Sequence, residues 1–62
     1  MKETIVTQMY LYEKIYEMVE AGLLYEHILA DIIDSCVEED IDVSVFTLTD
    51  LINKAFKEFD FN

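Results

Sequence analysis

The chain has 62 residues, and its fourteen Asp and Glu against four Lys give a formal net charge of −10 at pH 7. A chain of this length supports one domain, and this charge sets direct binding of DNA or RNA aside, because that affinity comes largely from Lys and Arg neutralising phosphates. Anionic membranes are disfavoured for the same reason.

Apolar residues make up 53% of the chain, too many for the disorder that usually accompanies high net charge. A domain this small buries only about 60% of the surface that its unfolded chain exposes. Apolar surface is therefore expected in excess of what one chain covers, which points to a second copy or another partner. Covalent and metal staples are not on offer. Cys36 is the sole cysteine, so no disulfide forms within the chain, and with the single His27 it is too little for a structural zinc site. No apolar run approaches the roughly 20 residues of a spanning helix. The start, Met1-Lys2-Glu3-Thr4, lacks the basic-then-apolar pattern of a signal peptide. The expected location is cytoplasmic.

The first predicted helix starts near Thr4, with Glu3 and Thr4 serving its first turn, and ends at Gly22, where a left-handed C-cap belongs. Ile5, Met9, Tyr12, Ile15, Tyr16, Val19 and Leu23 fall on one side, widened by Leu11 and Met18. Glu13, Glu17 and Glu20 lie opposite, with Tyr10 among them. The second predicted helix spans about 24–38. Tyr25, Ile28, Leu29, Ile32, Ile33, Cys36 and Val37 form its apolar face, over more than half the circumference. His27, Asp31, Asp34 and Glu38 form a narrow polar stripe. A helix this apolar is normally covered on several sides. Tyr25, Ile28, Leu29, Ile32, Ile33 and Cys36 are therefore the expected homo-oligomer interface.

Between helices two and three, Ile41, Val43 and Val45 alternate with polar residues, as in a strand. With no partner strand in the chain, 41–46 is expected to be an extended linker that tucks its apolar residues into the core. The third predicted helix spans about 48–59, with Thr47 as N-cap and Asp50 completing a capping-box-like pair. Leu48, Leu51, Ile52, Ala55, Phe56 and Phe59 face inward, and Asp50, Asn53, Lys54, Lys57 and Asp60 face outward. The fold class is therefore all-α: a three-helix bundle, residues 1–62 as one domain, completed by homodimerisation.

No catalytic constellation emerges. There is no Gly-rich phosphate loop and no Arg to clamp an anion. Cys36 and His27 are nine residues apart on one helix and point to opposite sides, so they cannot form a nucleophile–base pair. His27, Asp31 and Asp34 share a face, but an exposed ridge without supporting groups holds metal poorly. Asp40-x-Asp42-x-Ser44 starts like a calcium loop, yet Val45 and Leu51 stand where that loop needs Gly and Glu. No cofactor, metal or catalytic residue is expected.

The acidic rows are the feature that points to function. Glu13, Glu17 and Glu20 form one, and Asp31, Asp34 and Glu38 another, followed by Glu39, Asp40 and Asp42. Like charges three or four residues apart on a helix repel by a few tenths of a kcal/mol per pair. Opposite potentials steer association, so such rows suit a partner with a basic surface. The expected function is a non-catalytic regulator or inhibitor docking on such a partner, a nucleic-acid-binding protein in one version, by imitating rows of phosphates. Small inhibitors carried by phage and mobile elements share this size, acidity and helicity. The alternative is a structural or assembly protein that works through its apolar helix 24–38, with charge serving only solubility.

Overall fold

The computed structural model describes residues 4–61 and contains three helices: α1 (Ile5–Glu20), α2 (Tyr25–Glu38) and α3 (Val45–Phe61). No strand forms among the described residues. Glu3 lies outside them, so of the two residues expected to serve the first turn only Thr4 is described. Its extended backbone and its hydroxyl, which accepts from the Thr7 amide at 3.1 Å, make it the N-cap.

The turns between helices are two copies of one device. After α1, the Gly22 amide donates to the Val19 carbonyl and the Leu23 amide to the Met18 carbonyl, with Gly22 at φ +86. This is the Schellman arrangement, which satisfies the last carbonyls of a helix. After α2, Asp40 at φ +54 takes the place of the glycine: its amide donates to Val37, and the Ile41 amide donates to Cys36 at 2.8 Å. Ile41 and Cys36 are both buried, the apolar contact that accompanies such a turn.

The third helix begins one turn earlier than expected, and the N-cap assignment to Thr47 is corrected. Ser44 is the cap: its Oγ accepts from the Thr47 amide at 3.2 Å, and its carbonyl accepts from the Leu48 amide. Val45 and Phe46 are therefore helical and exposed. The connector that tucks inward is shorter than 41–46. Ile41 is buried, Val43 half-buried, and Asp42 points outward.

Both reversals are tight, so α2 runs antiparallel to α1 and α3 runs parallel to it. Tyr12 meets Glu58 and Lys54, and Tyr16 meets Phe59 edge-on at 6.3 Å. The core is Leu11, Ile15 and Val19 from α1, Ile28, Ile32 and Cys36 from α2, Ile41, and Leu48, Ile52 and Ala55 from α3. Leu11, expected only to widen the first helix's stripe, is at its centre. Ile5 and Met9, expected inward, are 77% and 60% exposed. The difference follows from having two neighbours: the line through Thr7, Leu11, Ile15 and Val19 is the part of the stripe that faces both other helices. Thr7 is buried at no hydrogen-bonding loss because its hydroxyl pairs with that of Thr4 at 2.9 Å.

The radius of gyration is 10.8 Å, close to the roughly 10.6 Å expected for a compact chain of this length. The expected apolar face of the second helix is covered in part: Tyr25, Leu29 and Ile33 are half-buried and Val37 is exposed. Ile28 and Ile32 are fully buried, and Cys36 nearly so, by the chain's own helices.

Candidate protein-interaction face

All nine carboxylates of the acidic rows, Glu13, Glu17, Glu20, Asp31, Asp34, Glu38, Glu39, Asp40 and Asp42, are exposed. The fold brings members of the two rows together. Because α2 returns antiparallel along α1, Glu17 comes to lie across from Asp31, Asp34 and Glu38, and the four line one shallow depression of about 380 Å³ with Lys14 and Met18. Glu13 sits on the crest of the α1 ridge, next to Glu17, and borders the groove toward α3.

Lys14 is the sole lysine of residues 4–44, and it is committed to Glu39. Its Nζ donates to Glu39 Oε2 at 2.8 Å, and the Tyr10 hydroxyl donates to Oε1 at 2.6 Å. The ammonium also lies 5.0 Å from the Tyr10 ring centre, within reach of a cation–π attraction. Tyr10, singled out in the sequence as an exposed aromatic among carboxylates, thus belongs to a node that ties α1 to the end of α2. The donated bonds from Lys14 and Tyr10 hold the Glu39 carboxyl below its ordinary range, and the same contacts push the Lys14 ammonium upward. With Lys14 so engaged, neither α1 nor α2 has a second ammonium to neutralise the depression.

The residues expected at an oligomer interface divide. Ile28, Ile32 and Cys36 belong to the core, while Tyr25, Leu29 and Ile33 are half-buried and packed against it. Tyr25 stacks on Phe56 at 6.4 Å. Burial, then the charge of Glu39, pushes the Cys36 thiol up, which keeps it protonated and unreactive. His27 is exposed, and no group of three or more potential metal ligands occurs among the described residues. Nor is any helix among them long and apolar enough to cross a membrane.

Sequence reasoning missed the surface between α1 and α3. There Ile5, Met9, Tyr12 and Leu51 line a groove of about 390 Å³, bordered by Glu13 and Lys54. Lys54 Nζ lies 5.5 Å from the Tyr12 ring centre, and the Tyr12 hydroxyl donates to Glu58. Burial and that bond push the Tyr12 phenol up to about 12. The signal was the width of the first helix's apolar stripe, broader than two neighbours can cover. Comparison with protein-family profiles, curated proteins and solved structures gives no significant match.

Proposed function

We propose that the protein is a non-catalytic acidic interaction module that docks its α1–α2 face on a basic surface of another protein, of the kind that binds nucleic acid. The observation that supports this is the gathering of Glu17, Asp31, Asp34 and Glu38 around one depression whose single lysine, Lys14, is already paired with Glu39. Folding alone gives no reason to gather like charges, which repel at this spacing. A cationic partner turns the repulsion into attraction and gains long-range steering from the net charge. The position of these carboxylates at the surface also argues against general acid–base work, which needs a water-poor pocket.

The test compares capture from a cell extract by the protein and by the variant Asp31→Asn, Asp34→Asn, Glu38→Gln. The protein is expected to retain nucleic-acid-binding proteins at low salt and release them steeply at moderate salt. Capture that survives both neutralisation and high salt contradicts the proposal.

A further inference from the structure

Charge and exposed apolar surface are segregated. Residues 25–44 hold seven carboxylates and no lysine, whereas residues 45–61 hold three carboxylates and two lysines. The large exposed apolar side chains follow the opposite distribution. Ile5, Val6 and Met9 lie on α1, and Val45, Phe46, Phe59 and Phe61 on α3, against Val37 on α2 and Leu24 just before it; Ile5 and Met9 line the α1–α3 groove. From these facts we infer that the α1–α3 groove is the contact between two copies of this chain, related by a two-fold axis.

The groove itself selects that occupant. Its floor is apolar, from Ile5, Met9, Tyr12 and Leu51, and its borders carry opposite charges, the exposed Glu13 on α1 and the exposed Lys54 on α3. A two-fold contact is self-complementary: if residue i of one copy meets residue j of the other, j also meets i. With the two-fold axis running along the groove, Glu13 of each copy meets Lys54 of the other while Ile5 and Met9 lose their exposure to water; an axis across the groove would set like charges against each other. A uniformly basic partner would meet Lys54 unfavourably, and a uniformly acidic one Glu13. Two chains of charge −10 repel, and contact through the nearly neutral α3 side keeps the seven carboxylates of residues 25–44 away from each other. The acidic depression lies on the other flank of α1 and stays open. The contact is thus independent of the proposed function and goes beyond it, since it gives one assembly two acidic faces.

Sedimentation of the full chain over a wide concentration range tests this. The protein is expected to dimerise reversibly, and Met9→Glu, at an exposed position, to weaken the dimer at least about tenfold, the equivalent of roughly 1.4 kcal/mol. Glu13→Lys alone and Lys54→Glu alone are each expected to weaken self-association. Mixed together, the two variants are expected to associate with one another, because each restores the pair that the other lost. Circular dichroism checks that the variants remain folded. A protein that stays monomeric, a mixture that does not associate, or a dimer lost in Val37→Glu but retained in Met9→Glu overturns the inference.

Discussion

Helices α2 and α3 contribute alike to the core and differently to the surface. Each buries three side chains, Ile28, Ile32 and Cys36 on one and Leu48, Ile52 and Ala55 on the other. Yet α2 and the connector after it carry seven carboxylates without a lysine, and α3 carries both signs. Their starts differ too. Ser44 caps α3, while the N-cap position of α2 is held by Leu24, whose side chain makes no capping bond and is 69% exposed. A bundle needs matched apolar stripes and is indifferent to which helix bears the charge. The even core is thus what folding requires, and the uneven charge is a property of the surface.

The largest expected effect tests the shared core. Ile32→Ala and Ile52→Ala remove equally buried side chains and are each expected to cost about 2–5 kcal/mol in urea unfolding. Ile32→Glu places a charge where no water reaches, so loss of helical circular dichroism is expected rather than dissociation of a folded assembly. A large cost at one isoleucine and none at the other would break the equivalence of the two helices. Capping comes next. Ser44→Ala is expected to destabilise by about 1 kcal/mol and Leu24→Ser to stabilise by a similar amount, both read as shifts of the urea midpoint. Equal insensitivity at both positions would mean that the starts of α2 and α3 are held by packing alone.

Much of this was legible in the sequence. Three helices, the chain reversal at Gly22 and most of the inward faces of α2 and α3 follow from periodicity and from one glycine, but Val37 and Phe59, expected inward, lie at the edges of their stripes and are exposed. Asp40 was not legible as a helix terminator, because an aspartate adopts a left-handed conformation only where the turn holds it there. Ser44 was hidden by the alternation of Ile41, Val43 and Val45, which reads as strand. Its pattern Ser44-Val45-Phe46-Thr47 does repeat the Thr4-Ile5-Val6-Thr7 of the first helix start, and both pairs of hydroxyls make the same contact. The acidic rows were legible one helix at a time. That Glu17 faces Asp31, Asp34 and Glu38 depends on which flanks of α1 and α2 meet, a property of the packed bundle alone.

Smaller effects sharpen the electrostatic half of the comparison. Asp31→Asn with Asp34→Asn removes a like-charge pair on α2 and is expected to raise stability by a few tenths of a kcal/mol, a gain that shrinks as salt is added. Mild acidification is likewise expected to raise Tm by relieving self-repulsion. Further acidification reverses the trend through Glu39, whose carboxyl is held low in the folded chain. Its stabilising contribution is complete above the ordinary glutamate range and is lost as pH falls through the lowered folded value. Glu39→Gln is therefore expected to flatten the acid side of the Tm profile. For Tyr12 the sign is opposite. Its phenol is raised to about 12, so its contribution is complete below the ordinary tyrosine range and is lost as pH rises through the folded value. Tyr12→Phe should flatten the alkaline side.

The most direct test of the acidic face is a backbone-amide NMR titration with a lysine- and arginine-rich peptide at low salt. Shifts are expected to concentrate at Glu17, Asp31, Asp34 and Glu38, to saturate, and to vanish as salt is raised. Shifts that spread evenly over α3, or no saturable change at any salt, would contradict a docking role for this surface.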